Sequence, residues 1–205
     1  MTTSARNDLR EAAARLFAEQ GIDAPSLREI TRAAGQRNTG ALQYHFGGRD
    51  DLLRAVLAEH SAAVEQARGA LLDEHVRFGD PTLEGLVDVL VLPLVAKLDG
   101  GTQFLRIAAE VVGRPRRFPG AIEDLLSTPS MVRWTDAIAG FLPTAAPGRP
   151  LHRRSTAVRF VYSEFARRAA EPHSGDHRLF ASHLADLVIA LLTAPLSTRT
   201  ARLIR

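Results

Sequence analysis

The stretch from Ser26 to Phe46, SLREITRAAGQRNTGALQYHF, constrains this chain more than any other. It reads as two short helical patterns around a turn centred on Gly35. Ser26 and Glu29 have the spacing of a capping box, in which the Ser hydroxyl accepts one free N–H of the first turn and the Glu carboxylate accepts another. Pro25 before this pair and Gly35 after it are start and stop signals. Asn38 and Thr39 are good N-caps for the second helix. That helix is expected to run to Phe46, where Gly47 and Gly48 suit a left-handed C-terminal stop. Helices of about seven or eight residues cannot bury enough surface to stand alone, so both need a scaffold from the flanking chain. Helix, short turn, helix is also a form that places a helix in the major groove of DNA.

The flanks supply such a scaffold. Leu9, Ala12, Ala13, Leu16 and Phe17 fall on one face of a helix predicted over Asn7–Gln20, which Gly21 ends. A long helix opens at Asp50 or Asp51, acids suited to a helix N-terminus, and runs to Phe78 as a rod of ~40 Å. Further helices are expected over Thr82–Leu98, Thr102–Val112, Gly120–Leu126 and Pro129–Leu142, with Pro93 kinking or ending the first of them. Gly113–Pro119, GRPRRFP, reads as a basic loop. Two long helices, Leu151–Ala170 and Asp176–Ala194, come last, and Pro195–Arg205 reads as a frayed tail. No strand pattern runs between hairpin turn signals. The expectation is an all-α chain of nine to ten helices.

Composition excludes several classes. There is no cysteine, hence no disulfide framework and no thiolate metal site. The most apolar run, Leu86–Ala96, is interrupted by Asp88 and Pro93 and is far shorter than the ~20 residues that span a bilayer. The N-terminus lacks an apolar core of signal-peptide length. A cytoplasmic protein without membrane contact is expected. The net charge of +3 is mild, and all the basic residues but Lys97 are Arg. Local charge says more: between Ser26 and Arg49 stand Arg28, Arg32, Arg37 and Arg49 against the single acid Glu29, a small basic surface that fits phosphate contact.

The first 57 residues resemble the DNA-binding domain of the tetracycline-repressor (TetR) family. Ala12–Ala13 and Leu16–Phe17 match its first helix and Gly21 the end of that helix. Leu27, Ile30, Ala34 and Gly35 match the second. Tyr44-His45-Phe46 matches the family's aromatic-His-Phe ending, and Arg49, Leu52 and Leu53 the entry to the fourth helix. Ten residues separate Gly35 from Phe46, one more than the commonest family spacing, and Gln43 stands where many members have a DNA-contacting Tyr. The resemblance implies a three-helix helix-turn-helix DNA-binding domain over residues 1–50 and a larger helical ligand-binding and dimerisation domain over 51–205. It also implies a homodimer through the last two long helices, a double-stranded DNA operator and a small-molecule effector. The function expected is a sequence-specific repressor released by an inducer; the alternative is a regulator or activator with no small-molecule effector.

Arg37, Asn38, Thr39, Gly40 and Gln43 are the candidate base readers: Asn and Gln pair bidentately with adenine and Arg with guanine, and Gly40 admits a close backbone approach. Ser26, Arg28, Tyr44, His45 and Arg49 are the candidate phosphate contacts, which set register without reading sequence. Phe104, Trp134, Phe141, Phe160, Tyr162 and Phe165 are candidates to line an effector pocket, since such sites are mainly apolar. Arg106 and Glu110 are spaced to pair on a helix surface. His173 and His177 are four apart, but Pro172 and Gly175 place them on a loop, which loses helical ligand geometry. No metal, no cofactor and no catalytic motif is expected.

Overall fold

The computed structural model describes residues 2–36, 40–79, 81–143, 152–172 and 175–203. Among them the secondary structure is helical throughout: α1 Thr2–Gln20, α2 Leu27–Ala33, α3 Gly40–Phe46, α4 Arg49–Phe78, α5 Leu83–Val95, α6 Thr102–Gly113, α7 Pro119–Leu126, α8 Pro129–Ile138, α9 Arg153–Ala170, α10 Arg178–Thr193 and α11 Thr198–Leu203. A single turn of 3₁₀ helix, Ala139–Phe141, continues α8.

The first three helices close around Leu9, Ala13, Phe17, Ile22, Ile30, Leu42 and Phe46, all buried. α1 ends where Gly21 takes φ +89 and its amide bonds to the Phe17 carbonyl at 3.0 Å, a conformation that favours glycine. Thr31, buried beside Ile30, satisfies its hydroxyl by donating to the Leu27 carbonyl at 2.8 Å.

α4 is a rod of about 45 Å that leaves this head and runs into the body of the molecule, packing in turn on α1, α7, α8 and α5. Its buried face is Leu53, Val56, Leu57, Val64, Arg68 and Leu72. α4 and α5 approach closely where Gly85 lies under the His75 ring; a Cβ there would come within 2.4 Å of it. α6 packs most extensively on α9, and α10 covers α5 and α9.

Several boundaries differ from expectation for identifiable reasons. α5 stops at Val95, two residues past Pro93, because the ring removes a hydrogen bond from its last turn. α8 narrows to a 3₁₀ turn before Leu142. Residues 195–205 are not simply a frayed tail: α11 forms there behind Ser197, whose hydroxyl accepts the Thr200 amide at 3.2 Å. The helices among the described residues thus number eleven, one above the range expected. No helix among the described residues is long and apolar enough to cross a membrane.

Candidate functional site

The helix–turn–helix is built by local hydrogen bonding. The Glu29 amide donates to Ser26 Oγ at 3.1 Å, and the Ser26 amide donates to Glu29 Oε2 at 2.7 Å. The Ser26 amide, with the Ser26 hydroxyl and Arg32 adding to it, holds the Glu29 carboxyl below its ordinary value. At the other end of α2, the Gly35 amide bonds the Arg32 carbonyl and the Gln36 amide bonds the Thr31 carbonyl, both at 3.0 Å. With Gly35 at φ +69 this is a Schellman stop. It turns the chain sharply enough for α3 to cross α2.

α3 places Leu42 and Phe46, one helical turn apart, in the core. Gly40, Gln43 and Tyr44 then face outward, and Tyr44 is 81% exposed. His45 is half-buried, edge-on to Tyr44 at 5.1 Å. Ser26, Arg28 and Arg32 are exposed at and along α2. Arg37, Asn38 and Thr39 lie outside the described residues. The Arg6 guanidinium sits 5.1 Å over the Phe46 ring and ties α1 to the end of α3.

Arg49 is not among the outward-facing groups. Its Nη1 donates to the Ile22 carbonyl at 2.6 Å and its Nη2 to the Pro25 carbonyl at 2.5 Å, with Phe17 beneath it at 5.9 Å. The guanidinium thus fastens the 22–25 connector to the first turn of α4. Arg49, expected among the phosphate contacts, is half-buried and bonds the connector here.

The same connector is gripped from the body. Glu110 of α6 accepts the Ile22 amide at 3.0 Å through Oε2. Arg114 bonds both Glu110 and Asp23, the latter at 3.1 Å, and Arg117 bonds Asp23 at 2.6 Å. Phe118, buried, lies about 5 Å beneath both guanidinium groups. The basic loop is therefore largely committed to this clasp. Glu110 takes these partners in place of the expected Arg106. The sequence carried one clue, an acid in the connector and an Arg-rich loop far downstream, but nothing that paired them.

The six aromatic candidates do not converge on one pocket. Tyr162 and Phe165 are core, the latter edge-on to Phe180 at 5.2 Å. Phe160 is half-buried on α9, and Phe141 is 38% exposed at the surface. Phe104 borders a cleft of about 650 Å³ between α1, α2, α4 and α6, where its ring meets His60 at 5.3 Å. Burial, with the nearby charges of Lys97 and Arg10, holds His60 below its ordinary value. Trp134, its Nε1 donating to the Leu86 carbonyl at 2.7 Å, borders a second cleft of about 650 Å³ between α6, α7, α8 and the start of α9. A third, of about 760 Å³, runs between α5 and α10. There His177 is buried and meets Asp99 at 3.2 Å; His173 lies outside the described residues.

The class defined so far is an all-helical protein with a helix–turn–helix head on a larger helical body. Its head is similar to a known one: residues 9–56 match the bacterial regulatory proteins of the tetR family. A stretch of 64 residues is 33% identical to the HTH-type transcriptional repressor AcnR of Corynebacterium glutamicum, covering 31% of this chain and 34% of that one. The similarity thus spans about a third of the relative's length. Over the whole length the fold is similar to that of NalD, the secondary repressor of the MexAB-OprM multidrug efflux pump in Pseudomonas aeruginosa. The TM-score is 0.62 at 20% identity, covering 95% of this chain and 98% of that one. It is also similar to a tetR-family regulatory protein from Rhodococcus RHA1, with TM-score 0.61 at 20% identity over 94% and 98% of the two chains.

Proposed function

We propose that the protein is a sequence-specific DNA-binding repressor, released from its operator by a small molecule bound in the helical body. Residues 1–50 form the reading head and 51–205 the effector-binding and dimerising part. The observation that carries this reading is the α2–turn–α3 unit: a capped helix, a Schellman stop and a second helix whose outer face is Gly40, Gln43 and Tyr44. Gln43 suits base reading. Ser26, Arg28, Tyr44 and His45 flank it as backbone contacts, and Arg37–Thr39 precede it in the chain. The repressor sense is supported by the AcnR likeness over 64 residues.

The working unit in this reading is a dimer made through α9 and α10. Leu179 is 84% and Leu187 is 40% exposed on the outer face of α10, apolar surface that a second copy would cover. The dimer would lay two α3 helices into successive major grooves, half-sites about one helical turn apart.

Footprinting on DNA flanking the gene for this protein tests the reading. Binding is expected to fall steeply with salt, as phosphate neutralisation requires. Gln43→Ala is expected to relax preference at one base-pair position, worth about 1–3 kcal/mol. Arg28→Ala is expected to weaken all sequences alike. Equal loss at every position for both variants would overturn the division of roles, and salt-insensitive binding would overturn the reading itself.

A further inference from the structure

The three clefts differ in charge. The one under Phe104 mixes Arg10 and Arg15 with Asp8, Glu11 and Glu59. The groove between α5 and α10 is acidic, with five carboxylates against Arg178. The cleft between α6, α7, α8 and α9 is bordered by Arg116, Arg154, Arg159 and His152 and, among the described residues, by no carboxylate. Its remaining wall is largely apolar: Val112, Ile122, Leu126, Met131, Trp134 and Val158. In a chain whose basic and acidic residues nearly balance, a 650 Å³ apolar cleft with only cations at its edge is an uneven placement.

The positions of the cations fit one kind of occupant. Arg116 and Arg159 are exposed and enter no ion pair among the described residues. Arg154 is half-buried and anchored by Nη1 to the Thr135 carbonyl at 2.8 Å. Arg68 on α4 is 1% exposed, and its Nε and Nη2 make no hydrogen bond. Glu65, the acid one turn away, is already used by the Ser130 amide and hydroxyl at the start of α8. An arginine does not shed its charge on burial; Glu65 lies within the electrostatic reach of Arg68 and offsets it, so the uncompensated cations are those at the edge of the cleft. Planar guanidinium forks match carboxylate and phosphate oxygens, while the apolar floor matches a hydrocarbon chain. A volume of this size is within the range of enclosed small-ligand sites.

We infer that the α6–α9 cleft binds an amphipathic oxyanion, its hydrocarbon portion on Met131, Trp134 and Val158 and its carboxylate or phosphate on Arg116, Arg154 and Arg159. The inference rests on the reading of the helical body as the effector-binding part and names the chemical class of the effector. α8 is then the element that senses occupancy, since Trp134 and Met131 face the cleft while Ser130 is held by α4.

The test uses the full chain and its single tryptophan, Trp134, as the reporter. The chain is titrated with decanoate, decyl phosphate, decanamide and inorganic phosphate below any micelle concentration, following Trp134 fluorescence and heat. Saturable binding of decanoate or decyl phosphate is expected, about tenfold or more tighter than decanamide. Inorganic phosphate, lacking the chain, is expected to give no saturable signal. The double variant Arg116→Gln/Arg159→Gln is expected to lose the preference for the charged probe and to keep its melting temperature. Equal binding of decanoate and decanamide, or no saturable response to either charged amphiphile, would overturn the inference, as would undiminished charged-probe binding by the double variant. Operator affinity is measured separately with saturating decanoate. Binding without any change in operator affinity would leave the site standing and sink induction by this class. Loss of specific DNA binding altogether would sink the regulator reading without touching the site.

Discussion

At the scale of single residues, Arg49 is the most instructive. Its two hydrogen bonds to the Ile22 and Pro25 carbonyls are charge-assisted, and such bonds contribute about 1.5–3 kcal/mol each when a buried partner would otherwise go unmet. Arg49→Ala is expected to lower unfolding stability by about 2 kcal/mol, read as a fall in the urea midpoint. Arg49→Lys, a point charge without the fork, should recover part of it. A variant as stable as the parent would return Arg49 to the DNA-facing surface. The outer face of α3 was legible beforehand, because Leu42 and Phe46 at i and i+4 leave Gln43 and Tyr44 nowhere to go but outward. The use of Arg49 was not legible, since its partners stand 24 and 27 residues away and are carbonyls, which every residue has. Arg68 was hidden for another reason. An arginine between Val64 and Leu72 at helical spacing reads as a surface residue, yet it is 1% exposed. Composition likewise does not separate aromatic residues that fill a core, such as Phe165, from those that border a cleft, such as Trp134.

At the scale of elements, the short helices of the head were readable from their ends. The capping box, the Gly35 turn and the Gly47 stop are all local signals, and the structure forms each with the residues that announced it. Boundaries farther along depended on what packs against them, as α5 and α11 show. α5 also carries an unfavourable group. Burial pushes the Asp88 carboxyl up from its ordinary value, with His75 pulling partly back. A carboxyl raised in the folded state favours folding below its unfolded value, and that contribution is lost as pH rises through the folded value. At pH 7 the ionised Asp88 therefore works against the fold. Asp88→Asn is expected to raise the melting temperature at pH 7, with the gain shrinking as pH is lowered toward 4. Thermal unfolding of both proteins across that range measures it, and a gain independent of pH would assign the effect to something other than ionisation.

At the scale of the whole molecule, the head and body are joined by more than α4. α1 packs on α6 as well as on α4, and the clasp of Glu110, Arg114 and Arg117 holds Ile22 and Asp23. A displacement of α6 thus reaches the connector just ahead of α2 directly. In the proposed reading, effector and DNA influence each other only by the difference in effector affinity between the two states, and these contacts join the two parts that such a difference must connect. The all-helical fold was evident from helical periodicity alone. The clasp was not, because it joins residues about 90 positions apart. Assembly belongs to this scale too. Leu187→Glu on the outer face of α10 is expected to shift the protein toward monomer in sedimentation. It is also expected to weaken operator binding by on the order of 100-fold, since both half-sites must be held at once. A variant that stays dimeric would move the interface away from α10.

The clasp also bears on modularity. The family match ends at residue 56, yet the partners of Ile22 and Asp23 lie at 110, 114 and 117. A head transplanted at the match boundary onto a foreign body would arrive with one backbone amide and one carboxylate stripped of their acceptor and donors. Exchange of such heads is therefore a problem of moving two separated pieces of sequence, and chimeras that carry the segment from Glu110 to Arg117 along with the head are the ones expected to keep its fold.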